Sequence, residues 1–533
     1  MPMNTNLTLL TMTIKNILRS SLAVAASLLL LAINGLCAAD APLDIGSRRE
    51  LFVDDALVEK LTGKAELRLH HPVPQEIAIV HDAPWEGSAC GYHSIFKDGD
   101  LYRMYYRGWH LTVAAGKLKS DEHPMFYCYA ESKDGIHWTK PELGLHEFKG
   151  SKANNIVIVG GPAGDMTLDM ENAAFFRDDN PQAAPEARYK ALVHSKKPNS
   201  LAAFKSADGL RWSLMSDAPV ITAGDFDSQN IAFWDSVRGE YRAYWRYTAA
   251  VTDEKNGKPG GHRDIRMATS KDFIHWENQR NLSYADSPAE ELYTNAVLPY
   301  HRAPHLLIGF PTRYIERGWS DSMRSLPEHE HRELRAKFSE RYGTALTEGL
   351  FMASRDGVRF KRWNEAFLRP GIERPGTWFY GSHFLAWQVV ETKPALEGAP
   401  NELSLYATEN YWTGVSGSGA LRRYTLRLDG FVSAQAPMSG GELITKPLIF
   451  NGAKLMLNFA TSAAGSVRVE IQDVHGKALP GFVLEDCPPL FGDTIERTVT
   501  WKNGTDVGSL AGKPVRLRIT MKDADVYSFQ FTP

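Results

Sequence analysis

The heptapeptide Ser132-Lys133-Asp134-Gly135-Ile136-His137-Trp138 decides the fold. Three further copies of the pattern Ser-x-Asp-x-x-x-(Trp/Phe) occupy residues 206–212, 270–276 and 354–360. Three of the four copies have Asp-Gly, a pair that supplies the positive φ of a tight turn. We predict that each copy is the outer hairpin of one sheet, with its aromatic residue filling the gap to the neighbouring sheet. Catalytic aspartates are the alternative, but four equivalent aspartates more often make four equivalent turns.

A second repeat lies upstream of each heptapeptide and consists of two short apolar segments. In the first copy, residues 92–96 (Tyr-His-Ser-Ile-Phe) are followed by residues 102–106 (Tyr-Arg-Met-Tyr-Tyr). Similar pairs begin at Asn172, Asn230 and Asn295, with a degenerate pair beginning at Ser382. Together the repeats give four strands per unit and about five units between residues 80 and 435. This predicts an all-β chain built on a five-bladed β-propeller.

The N-terminus differs from the repeats and is typical of an export signal. Lys15 and Arg19 precede an apolar run at residues 22–33, and Cys37-Ala38-Ala39 offers small residues for cleavage. Residues 1–39 are therefore predicted to be a signal peptide, with an N-terminal membrane anchor as the alternative. Cleavage predicts a secreted or periplasmic protein without a membrane partner.

Two domains are predicted in the mature chain, a propeller at residues 40–437 and a small C-terminal β-sandwich at residues 438–533. Gly440-Gly441 marks the boundary. Beyond it, runs such as residues 466–471 (Ser-Val-Arg-Val-Glu-Ile) alternate polar and apolar side chains, as half-buried strands do. The apolar triplet Leu51-Phe52-Val53 is predicted to close the propeller ring as an extra strand.

Composition excludes two classes of protein. The chain has 60 basic and 63 acidic residues, so it lacks the cationic surplus of a general nucleic-acid binder. Hydrophobic residues make up 43% and charged residues 23%, which is typical of a globular chain and not of a disordered one. Cys90, Cys128 and Cys487 are too few for a disulfide framework. A single Cys90–Cys128 bridge and buried free thiols remain the two alternatives.

The candidate site follows from the geometry of a propeller, whose inner strands start around one central funnel. Acidic residues stand just before these starts, and we predict as catalytic Glu86, Asp169, Glu171, Asp227 and Glu290. Crowded carboxylates favour glycoside hydrolysis, which needs one protonated and one ionised acid. Sugar-stacking and hydrogen-bonding side chains nearby are predicted to bind substrate; these are Trp85, His93, Asn172, Asn230, Asn295, Arg313, Trp378 and His383. Acids that cap blade edges or pair with arginines are the alternative.

The blade repeats, including residues 129–138 (Tyr-Ala-Glu-Ser-Lys-Asp-Gly-Ile-His-Trp), resemble those of five-bladed propeller glycosidases, the group of glycoside hydrolase families 32 and 43. Residues 226–230 and 292–295 also resemble segments of a secreted subgroup from polysaccharide-degrading bacteria. The resemblance covers roughly residues 50–435. It implies an acid on blade one, matched by Glu86, and one on blade two, matched by Asp169 or Glu171. The third acid would be Asp227 or Glu290.

We therefore expect a secreted glycoside hydrolase that trims a plant or algal polysaccharide or its oligosaccharides. Asp227 or Glu290 is favoured as the acid, and Asp169 or Glu86 as the base. No cofactor is predicted; a structural calcium ion in an oxygen-rich funnel has no motif to support it. A non-catalytic glycan-binding propeller is one alternative. A lyase or a glycan phosphorylase on the same fold is another, and Arg313-Tyr314 would suit the lyase.

Overall fold

The computed structural model describes residues 41–114, 116–119, 123–252, 259–413 and 419–533. The predicted signal peptide at residues 1–39 lies outside the described residues. Within the described ranges, no helix combines the length and the apolar character needed to span a bilayer. Cys90, Cys128 and Cys487 are buried free thiols, so no bridge joins Cys90 to Cys128.

Five antiparallel sheets form the predicted five-bladed β-propeller. Blade I consists, from the innermost strand outward, of Gly91–Asp98, Leu101–Gly108, Phe126–Ser132 and Ile156–Val159. Blade II consists of Ala174–Arg177, Tyr189–Lys197, Asn199–Ser206 and Ser213–Leu214, and the hairpin Gly161–Ala163 and Met166–Leu168 extends it. Blade III consists of Ile231–Asp235, Glu240–Thr252, Pro259–Ser270 and Trp276–Asn281. The all-β prediction and the blade count are confirmed.

The last two blades carry the additions to the basic unit. Blade IV consists of Leu298–Tyr300, Ala303–Gly309, Ala345–Ser354 and Arg359–Leu368, with Thr312–Glu316 and Ser283–Ala285 paired onto it. Blade V consists of Val390–Thr392, Glu402–Glu409, Ala420–Arg427 and, outermost, Val73–Val80. A helical insertion interrupts blade IV and contains the helices Asp321–Ser325, His329–Ala336 and Glu340–Thr344. A small hairpin, Thr112–Ala114 and Lys117–Lys119, follows the second strand of blade I.

The ring is closed by the strand Val73–Val80, which pairs with Ala420–Arg427 at the edge of blade V. The prediction that Leu51-Phe52-Val53 closes it is wrong. Leu51 pairs with Ser528 of the last strand, and all three side chains of the triplet are fully buried. An outermost blade strand faces solvent on one side, so a wholly apolar triplet is more stable in the interior.

The four Ser-x-Asp heptapeptides form the predicted outer hairpins, between the third and fourth strands of blades I to IV. In the second copy, the Asp208 carboxylate accepts hydrogen bonds from the backbone nitrogens of Leu210 and Arg211 at 2.8 Å. Burial opposes ionisation, but these N–H donors dominate and lower the pKa of Asp208 to about 2. The indole of Trp212 packs edge-on against Phe175 of its own blade at 5.0 Å and against Tyr105 of the neighbouring blade I at 6.0 Å. Turn and aromatic plug are both structural, as predicted.

The residues after the propeller form a separate antiparallel sheet, outside the five blades, with its own buried core. Its strands are Gly441–Thr445, Lys454–Gln472, Asp493–Thr498 and Arg516–Thr532, joined by Val432–Ala436. The predicted division assigned residues 40–437 to the propeller, but three N-terminal strands, Glu50–Leu51, Val58–Gly63 and Glu66–Leu69, also pair into this C-terminal sheet. The two chain ends therefore build one domain, and Leu448–Phe450 pairs in parallel with Leu43–Gly46 beside it.

Candidate functional site

A residue in the left-handed region of φ lies at or shortly before the inner strand of every blade. Glycine favours this region, yet here it is adopted by Tyr92, Met170, Phe226, Ala296 and His383, with φ between 43° and 63°. Such conformations cost about 1–3 kcal/mol and concentrate at functional sites. The five bends bring the segments before the inner strands to one end of the propeller.

The three asparagines predicted to bind substrate, Asn172, Asn230 and Asn295, hold neighbouring blades together. Asn172 and Asn230 are completely buried, and both amide nitrogens donate to the Phe226 carbonyl at 3.0 Å. Asn230 also donates to the Asn172 carbonyl at 2.9 Å, which joins blades II and III. Asn295 is buried in the same way and donates to the Gln229 carbonyl at 3.4 Å. With the side chains facing protein backbone, the structure gives these three residues an architectural position and not the predicted contact with substrate.

Glu86 lies in the interior between blades I and V. Its buried carboxylate accepts hydrogen bonds from Lys140 at 2.7 Å, from the Ala83 backbone nitrogen at 2.9 Å and from the Tyr106 hydroxyl. Burial opposes ionisation, but hydrogen bonding and charge from His81 and Lys140 lower its pKa to about 2. Because this carboxylate is 1% exposed and held by three protein donors, the structure separates Glu86 from the funnel.

Trp85 and His93 belong to the same interior region of blade I. The Trp85 indole donates to Asn155 at 2.6 Å and packs edge-on against Phe148. His93 is 1% exposed, and its Nε2 lies 3.0 Å from Nε2 of His81. Burial and the neighbouring His81 keep the pKa of His93 well below its usual range. Both residues pack within the blade and away from the predicted substrate.

Glu290 and Arg313 neutralise each other within blade IV. Arg313 Nη1 lies 2.8 Å from Glu290, and Arg313 Nη2 lies 2.6 Å from Glu348. Arg362 supplies a second cation to Glu290 at 3.0 Å. The alternative of an acid paired to arginines describes Glu290, and neither residue joins the other predicted acids.

Trp378 and His383 lie near the funnel but are committed to packing. Trp378 packs against Met323 and Leu346 at the helical insertion, and its indole donates to the Gly371 carbonyl at 3.0 Å. His383 is 1% exposed and lines a separate cavity of about 510 Å³ between blades IV and V. Burial lowers the pKa of His383 to about 4, so its imidazole is neutral.

Asp169 and Glu171 come together with a histidine that the sequence argument missed. Oxygen atoms of the two carboxylates and a ring nitrogen of His194 all lie within 4.8 Å of one another. His194 Nδ1 is 3.0 Å from Asp169 Oδ2, and the Glu171 backbone nitrogen donates to Asp169 Oδ1 at 3.0 Å. Within the described ranges, no ion pair engages the Glu171 carboxylate. Blade II thus presents one anchored carboxylate and one free carboxylate.

Asp227 stands at the next blade and pairs with Arg246. The Asp227 carboxyl is 54% exposed, whereas Arg246 is 6% exposed and lies over the Tyr293 ring at 4.7 Å. Both residues line a cavity of about 390 Å³ together with Asn199, Asp225, Thr248 and Arg263. The size is in the range of small-molecule sites, roughly 300–1,000 Å³.

Tyrosine hydroxyls and arginines form the floor between the blades. The Tyr293 and Tyr380 hydroxyls are 2.7 Å apart, and Arg107 donates to the Tyr411 hydroxyl at 3.2 Å. Arg107 also lies over the Tyr92 ring at 4.7 Å. Burial raises the pKa of Tyr293, but Arg246, the hydrogen bond with Tyr380 and Arg263 outweigh burial, so the net pKa is lowered.

Hydrogen bonds between neighbouring blades run around this funnel. Arg107 of blade I donates to the Glu171 carbonyl at 3.2 Å. Asn199 of blade II donates to the Gly224 carbonyl ahead of blade III at 3.2 Å. Ser228, also ahead of blade III, donates to the Tyr293 carbonyl of blade IV at 2.5 Å. Tyr380 and Tyr411 of blade V complete the ring.

Three of the missed residues share one register position. Strand pairing aligns Tyr102, Tyr189 and Tyr241 with the serines of the first three heptapeptides. The fifth residue after each of these tyrosines is Arg107, His194 and Arg246. The second segment of the repeat therefore carries a basic residue at the same register position in three blades. This pattern becomes visible when the strands are aligned.

The helical insertion supplies the wall at blade V. Arg335 of the helix His329–Ala336 is fully buried, lies over the Trp412 ring at 4.2 Å and donates to the Trp412 carbonyl at 2.8 Å. Burial lowers the pKa of Arg335 to about 9. The insertion is therefore fixed to the funnel and does not lie free on the surface.

Comparison with known proteins gives fold-level likeness only. No family model and no curated protein matches the chain. Matched structures include a glycoside hydrolase with 12% identity and a TM-score of 0.41, covering 67% of this chain and 92% of its own. A putative glycoside hydrolase from Bacteroides ovatus has 15% identity, coverages of 67% and 97% and a TM-score of 0.38. The Bombyx mori GH32 β-fructofuranosidase BmSUC1 has 10% identity, coverages of 87% and 94% and a TM-score of 0.37.

The Asp169–Glu171–His194 group does not fit calcium. Calcium takes six to eight oxygen ligands, whereas this group offers two carboxylates and an imidazole. Nδ1 of His194 is directed at Asp169, and its Nε2 lies 2.9 Å from the Asn199 amide oxygen. Both ring nitrogens therefore lie at hydrogen-bond distance from acceptors.

Proposed function

We propose that the protein is a secreted glycan-active enzyme, a glycoside hydrolase acting on a plant or algal polysaccharide or its oligosaccharides. The observation that carries the proposal is the close carboxylate pair of Asp169 and Glu171, with one acid anchored by His194 and the other free of ion pairs among the described residues. The cavity of about 390 Å³ beside Asp227 supports it, because its acids, arginines, threonine and asparagine offer hydrogen-bond partners for sugar hydroxyls.

The spacing favours a retaining mechanism. Oxygens of Asp169 and Glu171 lie within 4.8 Å, which is closest to the roughly 5–5.5 Å of retaining enzymes. Asp169 attacks the anomeric carbon while Glu171 gives a proton to the departing glycosidic oxygen. Glu171 then takes a proton from water, which hydrolyses the glycosyl ester on Asp169. We assign Asp227 a binding role in place of the acid role that the sequence predicts, since its partner Arg246 and the adjoining cavity suit sugar hydroxyls.

The test is digestion of a glycan panel by the wild type and by the Asp169→Asn, Glu171→Gln and Asp227→Asn variants. General acid–base catalysis contributes about 10²- to 10⁴-fold, so Glu171→Gln loses kcat on that scale, and Asp169→Asn, which removes the nucleophile, loses at least as much. Asp227→Asn mainly raises KM. Glu277→Gln, an exposed acid on the outer strand of blade III, is the matched control and keeps full activity. Activity that survives in both Asp169→Asn and Glu171→Gln contradicts the assignment.

Export is tested separately. Expression of the full chain in a bacterium with signal peptidase yields a periplasmic or secreted protein that begins at Asp40, as read by mass spectrometry of its N-terminal peptide. A membrane-bound protein that retains residues 1–39 contradicts secretion and leaves the enzymatic proposal in place.

A second function, β-elimination by a polysaccharide lyase, is favoured by Tyr293. Its ring lies 4.7 Å from the Arg246 guanidinium and 5.5 Å from that of Arg263. A tyrosine whose pKa is lowered by arginines is a base beside groups that bind a uronate carboxylate. A lyase product carries an unsaturated sugar with ultraviolet absorbance, whereas a hydrolase product does not. Loss of this signal in Tyr293→Phe, with Glu171→Gln fully active, would establish the lyase instead.

A further inference from the structure

We propose that His194 is a positioning residue, an imidazolium clamped between Asn199 and Asp169 that fixes the Asp169 carboxylate for reaction. This inference rests on the proposed function, because it takes Asp169 as the reacting acid. It adds a residue whose side chain does not need to touch the substrate. The argument stands on the hydrogen-bond geometry of blade II.

Three hydrogen bonds in series connect the backbone ahead of blade III to the Asp169 carboxylate. Asn199 Nδ2 donates to the Gly224 carbonyl at 3.2 Å, which fixes the orientation of the amide. The amide oxygen of Asn199 is therefore the atom that faces His194 Nε2, at 2.9 Å. On the other side of the ring, Nδ1 lies 3.0 Å from Asp169 Oδ2 and 3.2 Å from Oδ1. Asp169 is thus held by a chain that begins at the rigid start of blade III.

The charge of the ring follows from its partners. Asn199 Oδ1 and the Asp169 carboxylate are both acceptors, so both ring nitrogens are satisfied only when each carries a proton. Burial lowers the pKa of His194, but hydrogen bonding and charge from Asp169, with help from Asn199, reverse this and raise it. A protonated ring donates a charge-assisted hydrogen bond, roughly twice as strong as a neutral one.

The remaining surroundings of His194 set what else titrates there. Glu171 lies on the same segment as Asp169 and adds negative charge. Phe226, ahead of blade III, packs at a ring distance of 6.4 Å and does not titrate. Asp225, Asp227 and Arg246 line the cavity on the far side of Asn199. Arg107 of blade I donates to the Glu171 carbonyl at 3.2 Å, so one permanent cation lies beside the two carboxylates and another, Arg246, lies behind Asn199.

The sign of the pH dependence is fixed by the raised pKa. The imidazolium is complete below the pKa of an ordinary histidine and is lost as pH rises through the higher folded-state value. Asp169 then loses its charged partner, so kcat falls on the basic side of the optimum. A residue with only a structural role would not move this limb.

The experiment combines a histidine-ring NMR titration of the full chain with pH profiles of kcat and KM. The variants are His194→Gln, which keeps polarity without charge, and Asn199→Ala, which removes one acceptor. His137→Gln is the matched control, because His137 also pairs with an aspartate, Asp134, at 2.8 Å but lies exposed on an outer hairpin. Thermal melting of each variant identifies any that fails to fold.

We expect the His194 ring to titrate above an ordinary histidine in the wild type and lower in Asn199→Ala. His194→Gln is expected to lose about 10- to 100-fold in kcat at nearly unchanged KM and to shift the basic limb, with His137→Gln like the wild type. A His194 ring that titrates normally, or a folded His194→Gln with an unchanged limb, overturns the proposal. If the wild type cleaves no glycan, the proposed function fails, whereas the NMR titration still decides whether the clamp exists.

Discussion

The aspartates of the outer hairpins and the acids of the funnel carry the same functional group in opposite surroundings. Asp134, Asp208, Asp272 and Asp356 accept hydrogen bonds from backbone nitrogens two and three residues ahead. Asp169 instead meets His194 from another strand, 25 residues away in sequence. Local partners complete a turn, whereas distant partners converge where chain segments meet. The comparison teaches that an aspartate whose oxygens accept from backbone nitrogens two and three residues ahead belongs to a turn in this chain, whereas an acid with distant partners has to be judged from the charges around it.

The difference between hairpin aspartates and funnel acids is tested most directly by neutralising one acid of each kind. Glu171→Gln is expected to lower kcat by about 10²- to 10⁴-fold with little change in melting temperature. Asp134→Asn is expected to leave kcat unchanged, because Asp134 lies on an outer hairpin. Steady-state kinetics on the cleaved glycan and melting curves check both. Equal activity losses in the two variants would end the distinction.

Glu86 tests an acid that the sequence placed in the funnel and the structure placed in the interior. Glu86→Ala removes the anionic partner of Lys140 and leaves a buried cavity beside it. This variant is expected to lower the free energy of unfolding by about 3 kcal/mol. Because its folded pKa of about 2 is below the ordinary value of 4.5, its contribution is complete above pH 4.5 and fades between 4.5 and 2. Denaturant melts from pH 3 to pH 7 check this. The prediction is contradicted if the free energies of unfolding of wild type and variant differ as much at pH 3 as at pH 7.

A hairpin aspartate should affect stability alone. Asp208→Ala removes the acceptor of the Leu210 and Arg211 backbone nitrogens and is expected to cost about 1–2 kcal/mol of unfolding free energy. Activity at a temperature well below melting should match the wild type. The measurement is urea unfolding followed by tryptophan fluorescence, with Asp217→Ala, outside the turn, as the control.

The smallest effect concerns the hydrogen bonds that tie a blade to the next hairpin. The Tyr244 hydroxyl donates to the Gly357 carbonyl at 2.9 Å, as Tyr105 does to Gly209 at 2.8 Å. Tyr244→Phe is expected to cost about 1 kcal/mol. Between blades II and III the tyrosine is replaced by Leu192 and the glycine by Phe273. Tyr105→Phe removes the equivalent bond between blades I and II and should cost about the same, roughly 1 kcal/mol, in the same unfolding assay.

Much of the architecture was predictable because it depends on short-range chemistry. The Ser-x-Asp turns and their aromatic plugs gave the outer hairpins, and paired apolar segments gave the second and inner strands. Leu51-Phe52-Val53 was misassigned because hydrophobicity predicts burial without saying against which partner. The C-terminal sheet recruits Glu66–Leu69 through pairing with Val432–Ala436, a contact that local pattern does not record.

The candidate site was only partly predictable. Proximity to an inner strand selects Asp169 and Glu171, which meet His194, but the same criterion selects Glu86 and Glu290, which Lys140 and Arg313 neutralise. It also selects Asn172, Asn230 and Asn295, whose side chains bind backbone. Arg107, His194 and Arg246 were overlooked because they lie within the second strands, where only the strand register brings them to the funnel.

The sequence by itself determined the repeating unit, since a turn and an alternating strand depend on residues a few positions apart. Only the tertiary structure decided which acids face the funnel. A carboxylate acquires its role from the charges around it, and those charges come from blades far apart in sequence. Asp169 and Glu86 differ little as sequence positions, yet one meets His194 at the funnel and the other is enclosed with Lys140.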